Sequence, residues 1–140
     1  MNILQFLTPK SQAAYLLDTF TVRQALEKMR HHGYSSIPVI DAEGAYVSTV
    51  SEGDFLWFLV DSGFSELRDL ERVRLREILK RDEDKNPPVT VDIPLSVIYS
   101  RIARQNFVPV TDDRGSFVGI ITRRKILLHL LEEEENKAYG

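Results

Sequence analysis

The stretch Tyr34 to Asp54, YSSIPVIDAEGAYVSTVSEGD, recurs as Gln105 to Lys125, QNFVPVTDDRGSFVGIITRRK, 71 positions further on and without a gap. Pro38 matches Pro109, Asp41 matches Asp112, Gly44 matches Gly115, Tyr46 matches Phe117 and Ser51 matches Thr122. In each copy an apolar run is broken by a tight turn, resumes, and ends in a hydroxyl residue just before a helix. A repeat of this length means that one supersecondary unit is used twice, each copy unable to bury its apolar face alone. Function is therefore expected between the copies.

A chain of 140 residues is one domain by length, and the duplication divides it into halves of about 70 residues, which have marginal cores alone. Net charge is −3, which gives no sign of a nucleic-acid or membrane-surface partner. Cysteine is absent, which excludes disulfides, thiolate catalysis and thiolate metal sites. The N-terminal MNILQFLTPK has neither the basic start nor the apolar core of a signal peptide. No apolar run is long enough to span a bilayer. These features predict a cytoplasmic protein.

Along the chain, Ile3 to Leu7 reads as a short apolar turn closed by Pro9, and Ala13 to Leu17 as a short strand. Thr21 is placed to cap a helix whose apolar positions are Val22, Ala25, Leu26 and Met29, and Gly33 to end it. Ser36 to Ile40 and Tyr46 to Val50 read as strands joined by the hairpin link Asp-Ala-Glu-Gly. Glu66 to Arg74 has helical spacing. Leu75 to Leu79 echoes Leu4 to Leu7 and opens the second repeat. Arg81 to Pro88 reads as a charged loop, Val89 to Val91 as strand-like, and Pro94 as the first turn of a helix through Arg104. The acidic run Glu132 to Glu135 is expected to fray, because negative charge is unfavourable at a helix C-terminus. The resulting division is 1–62, a linker helix 63–74, 75–135, and a tail 136–140.

The segments Phe55 to Val60 and Ile126 to Leu131 are helices apolar nearly all round, and such helices need cover on more than one side. One face packs on its own sheet. A homodimer through the helices at 54–61 and 125–131 would cover the other, and Ser65 to Leu70 folded over Trp57 is the competing cover.

Catalysis has no support in the side chains. His31, His32 and His129 lack a neighbouring nucleophile and base, and His31 and His32 are adjacent, so they point apart on a helix. The acidic triplet Asp82, Glu83 and Asp84 could attract a hard cation, but such charge runs usually face solvent. No phosphate loop, nucleophile elbow or zinc spacing occurs. The expectation is no enzyme, no catalytic residue, no metal site and no catalytic cofactor.

Taken together, the Ile-Pro-Val-Ile-Asp and Val-Pro-Val-Thr-Asp strands and the endings Ser48 to Asp54 and Gly119 to Lys125 resemble a stand-alone pair of CBS domains, a Bateman module. That resemblance implies an α+β fold of two CBS domains, each a short sheet plus helices, packed as a pseudo-twofold pair. It also implies a regulatory rather than catalytic role, with an adenine nucleotide bound in clefts between the halves.

The family's ligand motif is a glycine, two apolar residues, Thr or Ser, two residues, and Asp. The glycine admits a ligand to the backbone, the hydroxyl donates to phosphate at a helix N-terminus, and the carboxylate accepts from ribose hydroxyls. The first copy has Ser51 and Asp54, but Ser48 in place of the glycine. The second has Gly119 and Thr122, but Lys125 in place of the Asp. Asp54 could equally cap a helix.

Arg123, Arg124 and Lys125 form a cationic set suited to phosphate. By resemblance the first cleft combines Thr122, Arg123 and Arg124 with Gln12, Ala14, Tyr34, Ser36 and Ile37. The second combines Val50, Ser51 and Asp54 with Val91, Asn106 and Val108. With its Thr-Arg-Arg ending and no following Asp, the second copy resembles stand-alone modules of Gram-positive bacteria that are similar to proteins binding cyclic di-AMP. The sequence thus predicts a sensor of cyclic di-AMP or of AMP, ADP or ATP that signals to an unidentified effector protein. The alternative is a structural adaptor whose nucleotide sites have decayed.

Overall fold

The computed structural model describes residues 2–63, 66–79 and 85–139. In chain order it runs from a 3-10 turn at Ile3–Phe6 through β1 (Thr8–Pro9), β2 (Leu16–Leu17), α1 (Val22–His32), β3 (Ser36–Ile40), β4 (Tyr46–Ser51) and α2 (Glu52–Ser62). A second 3-10 turn at Leu67–Glu71 follows, then α3 (Leu75–Ile78), α4 (Leu95–Ile102), β5 (Phe107–Thr111), β6 (Phe117–Thr122) and α5 (Arg123–Tyr139). The fold is α+β. It comprises two compact units: a central one, Ala14–Pro87, and a terminal one that joins Met1–Ala13 to Pro88–Gly140.

In the central unit the strand order is β2-β3-β4, with β2 parallel and β4 antiparallel to β3. Helix α1 forms because its first turn is capped reciprocally: Thr21 Oγ1 accepts from Gln24 N at 3.1 Å, and Thr21 N donates to Gln24 Oε1 at 2.9 Å. Val22, Ala25 and Met29 face a core that also holds Leu16, Ile37, Val39, Val50, Phe55, Leu70 and Leu75.

The helical spacing of 66–74 is realised only as the short 3-10 turn. Val73 to Arg76 is drawn instead against Asp18 to Val22, with bonds Val22 N to Val73 O at 2.8 Å, Leu75 N to Phe20 O at 2.7 Å and Arg76 N to Asp18 O at 3.0 Å. The backbone leading into α1 needs partners, and that need outweighs helical periodicity.

The terminal unit orders its strands β1-β6-β5, all antiparallel. Its core is built from Ile3, Phe6, Ile98, Ile102, Val108, Val110, Ile121 and Ile126. Strand β1 crosses β6 so closely that a Cβ on Gly119 would lie 2.2 Å from the carbonyl oxygen of Thr8. The strand-like reading of Val89 to Val91 reduces to one bridge, Val89 to Val110. The early strand likewise shortens from Ala13–Leu17 to Leu16–Leu17, and α4 ends at Ile102 with Pro94 as its N-cap.

Both hairpin turns are built alike. Asp41 Oδ1 accepts from Glu43 N at 3.0 Å and Ala45 N at 2.9 Å, and Asp112 Oδ1 accepts from Arg114 N and Ser116 N, each at 2.9 Å. Gly44 and Gly115 take positive φ of 89° and 84° to close them, a conformation that costs other residues strain.

Helix α5 runs through Glu132–Glu135 to Tyr139, across the acidic stretch expected from the sequence to fray. Glutamate and lysine are strong helix formers. His129 Nε2 lies 3.1 Å from the Glu133 carboxylate four residues on, and Lys137 sits in the last turn, where a cation is favourable. No helix among the described residues is long and apolar enough to cross a membrane.

Candidate functional site

The strand-to-helix junction is the same in both units. In the central unit Ser36 pairs with Ser51 at the end of β4, and Glu52 N donates to Ser35 O at 3.0 Å. In the terminal unit Phe107 pairs with Thr122, and Arg123 N donates to Asn106 O at 2.8 Å. Each junction points a hydroxyl residue at the start of a helix, where unpaired amides and the dipole favour negative charge.

At the central junction Asp54 is the third residue of α2, not its cap. Its Oδ2 accepts from Ser51 N at 2.8 Å and Ser51 Oγ at 3.1 Å, and the same oxygen pairs with the ammonium of Lys85. Both side chains are mostly buried, at 21% and 27% exposure. That burial pushes the Lys85 ammonium below the ordinary lysine pKa.

The residue after Lys85 is pinned. Tyr46 Oη donates to Asn86 O at 2.8 Å and lies 2.7 Å from Thr49 Oγ1, which accepts from Asn86 Nδ2 at 3.3 Å. Lys85 was invisible as a site residue in the sequence, where it reads as one charge in a solvated run. The contact spans 31 residues, so nothing local in the sequence signals it. The acidic triplet at 82–84 lies outside the described residues. Among the described residues no group of three or more His, Cys, Asp or Glu is placed to hold a metal ion.

At the terminal junction the basic triplet separates by role. Arg123 Nε donates to Ile102 O at 2.7 Å and its Nη1 to Asn106 Oδ1 at 3.1 Å, so this guanidinium closes the C-terminal end of α4. Thr122 Oγ1 accepts from Lys125 N at 3.2 Å and caps α5, with its own proton left to donate. Lys125 Nζ reaches Leu7 O at 3.5 Å. Arg124 is exposed and makes no hydrogen bond or ion pair among the described residues.

Of the residues assigned to the first cleft, Thr122, Arg123, Arg124 and Gln12 belong to the terminal unit, and Ala14, Tyr34, Ser36 and Ile37 to the central one. Of the second set, Val50, Ser51 and Asp54 are central, and Val91, Asn106 and Val108 terminal. The side chains of Ile37, Val50 and Val108 are buried in their units' cores. Those of Gln12, Val91 and Asn106 are exposed, and Ala14 and Ser36 are half-buried. Tyr34 is 48% exposed, and one face of its ring is stacked on His32, at 5.4 Å between centroids and 6° between planes.

The model of the CBS domain matches residues 8–61 and 75–132. An uncharacterized protein of Methanopyrus kandleri is 26% identical over 132 residues, 85% of this chain and 61% of that protein, so the chain spans less than two thirds of that relative. Cyclic di-AMP receptor B of Bacillus subtilis is 23% identical over 126 residues, covering 90% of this chain and 84% of the receptor. The crystal structure of CbpB in complex with c-di-AMP superposes with a TM-score of 0.88 at 24% identity, covering 99% of this chain and 89% of that one. At that identity the likeness is one of fold.

Proposed function

The chain belongs to the CBS-domain family, and on that premise we propose that it is a non-catalytic regulatory module that binds an adenine nucleotide, either cyclic di-AMP or AMP, ADP or ATP. The observation that carries this reading is the division of labour at the start of α5. Arg123 is committed to the protein's own backbone, and Arg124, two residues from the Thr122 hydroxyl, stands exposed and unpaired among the described residues. A free guanidinium beside a hydroxyl at a helix start is matched to a phosphate group, which takes a bidentate pair from one and a hydrogen bond from the other. The Bacillus relative named as a cyclic di-AMP receptor supports the ligand class.

The residue sets of both expected clefts belong to this proposal. So do a cytoplasmic setting and an effector protein whose contacts change when the ligand prefers one conformation.

Thermal-shift measurement on ligand-free protein tests the reading. Stabilisation by cyclic di-AMP, AMP, ADP or ATP is expected, since a ligand that binds only the native state raises its stability by mass action. Arg124→Ala should leave the ligand-free melting temperature nearly unchanged, within about 0.5 kcal/mol, as exposed substitutions usually do. It should also remove most of the shift given by a ligand that engages Thr122. If none of the nucleotides stabilises the wild type, the reading is wrong.

A homodimer through α2 and α5 is part of the same proposal. Trp57 and Val60 on α2 are 58% and 60% exposed, and Leu127 and Leu131 on α5 are 50% and 61% exposed. The competing cover falls partly outside the described residues, and Leu70 within it is buried in the central core. Both repeats leave an apolar helix face open, so a second copy offers matching surface to each. Leu131→Glu is expected to convert the dimer to monomer in sedimentation velocity, with the melting curve still cooperative; a wild type that sediments as a monomer would refute the dimer.

A further inference from the structure

We infer that the central unit carries a second binding site, a cavity between α1 and α2 that takes an arginine bearing a free carboxylate, either the amino acid itself or the C-terminal residue of a partner polypeptide. This inference does not rest on the nucleotide reading. The cavity has a volume of about 300 Å³, at the small end of the range for ligand pockets. Leu26, Met29 and Phe55 give it an apolar lining, Arg30 and Glu52 bring opposite charges to it, and Tyr34 stands at its side. Met29 and Phe55 are buried, whereas Arg30, Tyr34 and Glu52 are exposed. The side chains of Arg30 and Glu52 make no hydrogen bond or ion pair among the described residues. A cation and an anion left unpaired beside one apolar surface match a ligand that carries both charges on an apolar stem.

The second repeat shows which cation suits this place. Glu52 corresponds to Arg123, 71 positions on, so the charge at that position reverses between the copies. Leu26 and Phe55 correspond to Val97 and Ile126, so the apolar character of those positions is kept. In the terminal unit the Arg123 guanidinium donates to Ile102 O at 2.7 Å and to Asn106 Oδ1 at 3.1 Å. The end of that helix receives its cation from within the chain. Glu52 has no proton to donate, and His31, the counterpart of Ile102, lies in the last turn of α1, where carbonyls have no partner within the helix. A guanidinium from outside would meet that helix end as Arg123 meets Ile102, and the Glu52 carboxylate would add a bidentate pair. Its methylene stem would cover Leu26 and Met29. Arg30 repels a bare guanidinium, and a carboxylate on the same ligand turns that repulsion into a pair. Lysine fits less well, because an ammonium lacks the planar fork.

The test is isothermal titration of ligand-free protein with L-arginine, the peptide Gly-Ser-Gly-Arg, agmatine, which lacks the carboxylate, and citrulline, in which a neutral urea replaces the guanidinium. L-Arginine or the peptide should bind, and each analogue should bind about tenfold more weakly than arginine, since each lacks one charge-assisted contact. Glu52→Gln should weaken arginine about tenfold, and Arg30→Gln should bring it to the level of agmatine. Glu52→Arg, which puts the side chain of the second repeat at this position, should abolish binding without lowering the melting temperature. Melting temperatures of the other two variants check that they are folded. Binding of L-arginine without the peptide makes the free amino acid the ligand, and binding of the peptide alone makes it the C-terminus of a partner polypeptide. No heat from either, or equal affinities for arginine and either analogue, overturns the inference and leaves the nucleotide reading untouched.

Discussion

Replacing Gly119 with alanine is expected to destabilise the protein by about 3 kcal/mol, enough to lower the melting temperature by roughly 10 °C. The cause is steric. The new Cβ would lie 2.2 Å from the carbonyl oxygen of Thr8 and 2.9 Å from a methyl of Leu7. Backbone cannot swing aside as a flexible side chain does. Relief requires β1 to move off β6, which breaks the pairing of Thr8 with Ile120 and Pro9 with Gly119. Gly119 also sits at φ 157°, outside the usual range for other residues, so alanine adds strain of its own. Ser48→Ala is the control, because Ser48 holds the equivalent position in β4 and already carries a Cβ. It should cost no more than about 0.5 kcal/mol. Urea unfolding of both variants measures the contrast, and a Gly119→Ala variant as stable as the wild type would show that β1 does not pack on β6 in solution.

Asp54→Ala carries the second large effect, about 2 kcal/mol. Roughly half is the loss of the bond to Ser51 N at the start of α2, by the usual cost of a removed helix cap. The rest is the loss of the ion pair between Asp54 and the partly buried ammonium of Lys85. A double-mutant cycle separates the two: in a Lys85→Gln background, Asp54→Ala should cost only the capping share, about 1 kcal/mol. Equal costs in both backgrounds would mean that the ion pair contributes nothing. Ligand titrations of Asp54 variants therefore need the melting temperature beside them, since a weakened α2 start lowers apparent affinity without any ribose contact being lost.

These outcomes bear on how the departures from the family motif are understood. Read as a ligand motif, Gly119 is there to admit a nucleotide, and Ser48 marks a damaged site. The packing of β1 against Gly119 gives the glycine a structural reason of its own. Among the described residues β4 is paired only on its β3 side, so a serine there meets no such barrier. Ser48 alone is thus no argument for a decayed adaptor.

The sequence determined the elements whose causes are local. Thr21 and Gln24 close a capping box within one helical turn, and Asp41 and Asp112 each collect backbone amides within four residues. The gapless repeat made the duplicated strand–turn–strand–helix order plain, and with it the family. Tertiary structure alone decided what depends on residues far apart in the chain. Arg123 and Arg124 are adjacent and chemically alike, yet one closes α4 through Ile102, 21 residues away, and the other stays exposed. Lys85 is one charge among several in its segment, and only folding brings it to Asp54. Residues 1–13 pack with the second repeat and 75–79 with the first, although each precedes the other repeat in sequence. Propensity and spacing act over a few residues, whereas burial and pairing are set by whatever surface the folded chain brings near.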